Sequence, residues 1–215
     1  MKKKYIALVT EKDNWFYSYK NQFIREFESL GHNVKVYNDH KKLSKKYDVV
    51  FLLSYFQIVK TNFLKKNKHN IVIHESDLPN GKGWAPLFWQ IIKGKNEITF
   101  TTFEANEKID AGNYYFKDKL KLCGDELYEE IRELQALKRL ECCKKIVCNL
   151  EKLEPLKQNG RSTYFRRRNK EDSKLNINKS IKSQINLLRS VDNLNFPAYF
   201  YYKKIKYVLK VSKAK

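Results

Sequence analysis

An α/β fold, a parallel sheet flanked by helices with a small C-terminal α+β appendage, is predicted by three features of the chain. Short β-branched runs alternate with helix-period stretches over residues 1–75. The strand segments are apolar on both faces, as strands enclosed between helix layers are. Beyond Pro155 the pattern changes to a polar, Arg-containing connector, so residues 1–150 read as the main unit and 151–215 as a basic appendage.

Tyr5 to Thr10 reads as a buried strand. Phe16, Tyr19, Phe23, Phe27 and Leu30 recur at three and four residues, which predicts a helix stopped by Gly31. Strands follow at Asn33 to Tyr37, Asp48 to Leu53 and Asn70 to His74, with a helix expected over Ile58 to Lys66 between the last two. A loop rich in turn formers, HESDLPNGKG, leads into a helix from about Trp84 to Gly94. A strand pair, Glu97 to Glu104 and Asn113 to Lys117, flanks ANEKIDAG. A long helix is expected from Gly124 to Leu150, its stripe made by Leu127, Ile131, Leu134, Leu137, Leu140, Cys143, Val147 and Leu150. A helix from Ile181 to Ser190 and strands Ala198 to Tyr202 and Lys206 to Val211 complete the appendage.

The 215 residues carry a formal charge of +20, and residues 151–215 hold 17 Lys+Arg against 5 Asp+Glu. Such an excess suits a polyanionic partner. Yet the basic residues are 36 Lys and 8 Arg beside many Asn, Ile, Tyr and Phe, the output of AT-rich coding, so a solvated lysine surface is the simpler reading. No apolar run reaches a membrane-span length of ~18 residues and the start lacks a signal-peptide pattern, which predicts a cytoplasmic protein with no membrane partner. Cys123, Cys142, Cys143 and Cys148 lack paired C-x-x-C spacing, so reduced thiols are expected and no metal site. The first strand is followed by TEKDNW, without the glycines of a dinucleotide cradle, and neither a P-loop nor a G-x-S-x-G elbow occurs.

His74 stands where the fourth strand ends, the place where parallel sheets set functional groups, and Asp110 lies 36 residues later in a glycine-bounded loop. A carboxylate beside an imidazole orients it and raises its basicity, which suits proton transfer at neutral pH. A lone strand-end histidine more often has a structural role. His32, His40 and His69 lie in polar surroundings and read as surface residues.

The run IHESDLPNGKGWAPLFWQIIKGKNEITFTTFEANEKIDAG resembles the signature of the folate-dependent formyltransferases, the group that includes methionyl-tRNA formyltransferase, glycinamide ribonucleotide transformylase and the nucleotide-sugar N-formyltransferases. The matching residues are His74, Ser76, Leu78, Pro79, Lys82, Gly83, Pro86, Trp89 and Asp110-Ala111-Gly112. The tail, TYFRRRNKEDSKL with NLLRSVDN and NFPAYF, is similar to the C-terminal region of the sugar N-formyltransferases.

This resemblance implies a formyltransferase-type, Rossmann-like catalytic domain over residues 1–150, 10-formyltetrahydrofolate as donor, and a nucleotide-linked amino-dideoxy sugar as acceptor. IVIHESDLP with GKGW is similar to the branch associated with pseudaminic-acid-type sugars, hence a UDP-4-amino-4,6-dideoxy sugar. His74 and Asp110 are then the catalytic pair. Phe56, Gln57, Ile58, Val59, Asn106, Glu107 and Asp110 match the pterin-binding stretches. Ser76, Lys82, Trp84, Arg166, Arg167 and Arg168 are the expected acceptor-side residues. A nucleic-acid partner is not expected, because a tRNA enzyme carries a longer C-terminal domain; the C-terminal strands leave a homodimer open. The family also has an Asn two residues before the His, where this chain has Val72. Either another donor substitutes, a backbone N–H or a side chain such as Ser54, or turnover is slow, or catalysis is lost. The remaining alternatives are therefore a non-catalytic folate or sugar-nucleotide binding module and an enzyme like glycinamide ribonucleotide transformylase.

Overall fold

A computed structural model describes residues 2–214. The strands β1 (Tyr5–Val9), β2 (Asn33–Tyr37), β3 (Val49–Leu52) and β4 (His69–His74) are parallel neighbours in the order β2-β1-β3-β4. Every residue of β3 is buried, as the continuous apolar run requires. The first helical segment divides into a 3-10 stretch, Trp15–Tyr19, and the helix α1 (Lys20–Ser29), which seats Phe23 and Phe27 in the core. Its chain returns to β2 through Gly31 at φ 82°.

Three expectations change after β3. The helix α2 covers only Thr61–Leu64; Lys60 before it is extended, and Ile58 and Val59 line a cavity wall. The sheet is also mixed. After β5 (Lys82–Gly83) and α3 (Pro86–Ile92), β6 (Glu97–Glu104) runs antiparallel to β4, with His74 opposite Thr101 and Ile71 opposite Glu104. A parallel neighbour needs a crossover that carries the chain back along the whole strand. The seven residues of α3 rise only about 10 Å. The chain therefore re-enters the sheet at the end where β4 left it. β7 (Tyr114–Lys121) follows by hairpin and is longer than the sequence suggested.

The helix α4 (Tyr128–Asn149) crosses the sheet and buries Ile131, Leu140, Cys142, Cys143, Ile146 and Val147. The expected stripe is buried at Ile131, Leu140, Cys143, Val147 and Leu150, but Leu137 is exposed and the polar Gln135 and Arg139 join the buried face. His32 and His40 are likewise buried rather than at the surface, and His69 is half-buried beside Glu104.

The C-terminal segment is stitched onto the main unit. β8 (Tyr164–Phe165) pairs with β5, and Leu156 bridges Tyr114. After α5 (Ile181–Leu188), Arg189 is 1% exposed, its guanidinium donating to the Glu126 carboxylate at 2.8 Å and to Asn96 Oδ1 at 2.9 Å. The hairpin β9 (Ala198–Tyr202) and β10 (Ile205–Leu209) closes the chain over a small cluster of Leu188, Val191 and Ala198. Among the described residues no helix is long and apolar enough to cross a membrane.

Candidate active site

A cavity of about 470 Å³ opens where β3 and β4 end, within the size range of small-molecule sites. His74 lies in its wall, 7% exposed. Its Nε2 lies 2.9 Å from the Gly81 carbonyl. A carbonyl only accepts, so Nε2 carries the hydrogen and Nδ1 is left to exchange a proton. Nδ1 faces Asp110 Oδ1 at 3.7 Å.

Asp110 arrives from the loop between β6 and β7, which folds back over the sheet. Its Oδ2 accepts from the Gly83 N–H at 2.8 Å, and its backbone takes φ 48°, a left-handed conformation that Asp tolerates better than most residues. The Gln158 amide ties the loop down by donating to the carbonyls of Asp110 and Gly112, at 3.1 and 2.8 Å. Gly112 is required there, since a Cβ would sit 1.6 Å from the Glu104 carbonyl oxygen.

Phe56, Gln57, Ile58, Val59, Asn106, Glu107 and Asp110 all line this cavity. Among the described residues, the backbone groups of Phe56 to Val59 make no backbone hydrogen bond, which leaves a polar edge free for a flat, hydrogen-bonding ring. At the mouth Phe56 stacks on Trp84, centroids 4.7 Å apart, and the Arg167 guanidinium lies 4.9 Å from the Trp84 ring.

The other acceptor-side expectations are corrected. Ser76 is enclosed, its hydroxyl without a partner, beneath Gly81. Lys82 is 6% exposed and turned toward the Tyr164 ring. Arg166 forms an ion pair with Asp172, and Arg168 packs over Phe88 while donating to the Ser190 carbonyl. Trp84 lines the cavity and Arg167 lies over its ring at the rim, whereas Ser76, Lys82, Arg166 and Arg168 are outside the lining.

Behind His74 lies a charged network that sequence reasoning missed. Glu75, 3% exposed, accepts from Arg139 Nε at 2.6 Å, and Arg139 NH1 donates to Ser54 Oγ at 2.6 Å. Burial alone would raise the Glu75 carboxyl, but the Arg139 guanidinium, with smaller help from His74 and Gln135, holds it below the ordinary glutamate value. Arg132 donates to Gln135 at 2.9 Å and lies over the Trp15 ring at 4.2 Å. The signal was present as Arg132, Gln135 and Arg139 at helical spacing on α4. Spacing alone gave it no meaning, because nothing in the sequence shows that Glu75 and Ser54 lie opposite.

The formyl transferase family profile matches residues 3–141. The chain belongs to the formyl transferase family. Methionyl-tRNA formyltransferase of Mycoplasma mycoides subsp. mycoides SC is 27% identical over 161 residues, 73% of this chain and 50% of that protein. The chain thus spans about half the length of the curated relatives it matches. Among solved structures it is similar to methionyl-tRNA formyltransferase from Clostridium thermocellum, with TM-score 0.78, 22% identity, and 98% and 93% of the two chains covered. HypX from Aquifex aeolicus in complex with tetrahydrofolic acid gives TM-score 0.80 at 18% identity, covering 98% of this chain and 38% of that one. A 4-N formyltransferase from Francisella tularensis gives TM-score 0.68 at 20% identity, covering 98% and 99%. At these identities the structural likeness is one of fold.

Proposed function

We propose that this formyl transferase family member moves the formyl group of 10-formyltetrahydrofolate to the amine of a nucleotide-linked amino-dideoxy sugar, with a UDP-4-amino-4,6-dideoxy sugar of the pseudaminic acid type as the first acceptor to test. The observation that carries the reading is the His74–Asp110 pair in the wall of a cavity bordered by the unpaired backbone of Phe56 to Val59. The folate donor supplies an activated formyl carbon. Phe56 to Val59 and Asn106 to Asp110 bind and orient its pterin. The acceptor nitrogen bonds to the formyl carbon as that carbon's bond to folate N10 breaks, and the proton lost by the amine ends on N10. His74 Nδ1 carries that proton, and Asp110 orients the ring and stabilises its charged form. Trp84 and Arg167 at the mouth face the acceptor, where a guanidinium over an aromatic ring suits a nucleotide's base or phosphate.

A second reading, formyl transfer to charged tRNA, is favoured by the names of the curated relatives. The two separate in one assay: release of tetrahydrofolate from 10-formyltetrahydrofolate with a panel of nucleotide-linked amino sugars and, in parallel, with methionyl-tRNA. Turnover with a sugar nucleotide, abolished in His74→Ala, is the expected result. Turnover only with the tRNA, or full sugar turnover by His74→Ala, would sink the proposal.

A further inference from the structure

As an amine attacks, negative charge builds on the formyl oxygen, and that oxygen calls for a hydrogen-bond donor in the cavity wall beside His74. Val72, half-buried and in the wall, offers none. The charged and polar side chains nearest His74 form a network. Arg139 donates from Nε to Glu75 and from one terminal nitrogen to Ser54. Arg132 donates to Gln135, and its Nε is buried without a partner. His74 donates from Nε2 to Gly81. Ser54 stands at the cavity end of this network. Its Oγ accepts from Arg139, and among the described residues its own hydrogen has no acceptor. Ser54 follows the end of β3, whose last residue, Leu52, pairs with Val72 two residues before His74. Ser54 also holds φ 49°, which a non-glycine residue adopts at a cost, and both its ends are tied: Asn14 donates to its carbonyl and Arg139 to its hydroxyl.

We propose that Ser54 is a catalytic residue that donates its hydroxyl hydrogen to the formyl oxygen, with Arg139 and Glu75 as its positioning residues. The proposal rests on the folate reading above. A guanidinium that donates to a hydroxyl oxygen withdraws electron density from it, makes the O–H a stronger donor, and turns the hydrogen away from the arginine toward the cavity. The desolvated setting strengthens the contact further. Glu75 keeps the guanidinium in place, so the residue after His74 and Ser54 are joined through one arginine.

The test uses Ser54→Ala, which removes one oxygen. Loss of one oxyanion donor lowers kcat by about 100-fold or more, so Ser54→Ala should lose that much kcat with the donor KM within about twofold. A second readout needs no acceptor: the infrared stretch of a ¹³C-labelled formyl carbonyl in the bound donor should lie at lower frequency in the wild type than in Ser54→Ala. Glu75→Asp, which keeps the charge but shortens its reach, should give an intermediate frequency. Unchanged kcat and an unchanged carbonyl stretch in Ser54→Ala would overturn the proposal while leaving the folate reading intact. A weakened donor KM and a lower melting temperature, with saturated kcat and the carbonyl stretch preserved, would make Ser54 a structural residue and also overturn it. A wild-type protein that binds no folate donor would refute both readings.

Discussion

Replacing Glu75 by Gln keeps the side chain's shape and removes its charge, which isolates what the buried ion pair with Arg139 contributes. The contact is 2.6 Å and the two side chains are 6% and 4% exposed, so water does little to screen it. Removing one partner of such a pair strands the other charge and costs about 3–5 kcal/mol. For a chain of this size each kcal/mol shifts the melting temperature by roughly 2–4 °C, so Glu75→Gln should melt about 6–20 °C below the wild type. Urea unfolding followed by circular dichroism at pH 7 measures the loss directly. The pH dependence has a definite sign. The folded-state carboxyl lies below its ordinary value of 4.5, so the pair's contribution is fully present above that value. It is lost as pH falls through the folded value, and the gap between the two urea curves should close there. A double variant, Glu75→Gln with Arg139→Met, leaves no stranded charge and should recover part of the stability. Equal urea midpoints for Glu75→Gln and wild type at pH 7 would refute the picture of a desolvated pair.

Gly112→Ala forces a methyl group into the Glu104 carbonyl and must displace the loop that carries Asp110; a destabilisation of about 1–3 kcal/mol and a large loss of donor binding, read by calorimetric titration, are expected. Of the four thiols, Cys123 and Cys148 are exposed, while burial pushes Cys142 up to about 12 and Cys143 well above its ordinary value. Ellman's reagent at pH 8 should therefore titrate two thiols rapidly in the native protein and four in denaturant; four rapid thiols in the native protein would contradict the packing of α4.

The period of the side chains was enough to place β1 to β4 and the hairpin of β6 and β7, because each strand's burial follows from its own residues. His74 and Asp110 were legible for a different reason. A strand-end position marked His74, a glycine-bounded loop marked Asp110, and the ordered motif around them tied both to one family. The segments Phe56 to Val59 and Asn106 to Asp110 were legible in the same way, and all of them line the cavity. The arginines after residue 164 were read as one group, yet Arg166 is taken by Asp172, Arg168 by Ser190, and only Arg167 reaches the cavity's rim. Neighbours in sequence alternate in direction along an extended segment, and sequence proximity says little about which of them faces a ligand.

By itself the sequence determined the order of elements, the buried strands, the family and the candidate catalytic pair. All of these depend on local period or on residues within one motif. The tertiary structure decided the antiparallel turn of β6, the burial of Gln135 and Arg139 on α4, and the Ser54–Arg139–Glu75 chain, whose members lie 85 and 64 residues apart. A charge's meaning depends on its partner and its distance from water, and both are set only when remote segments pack together.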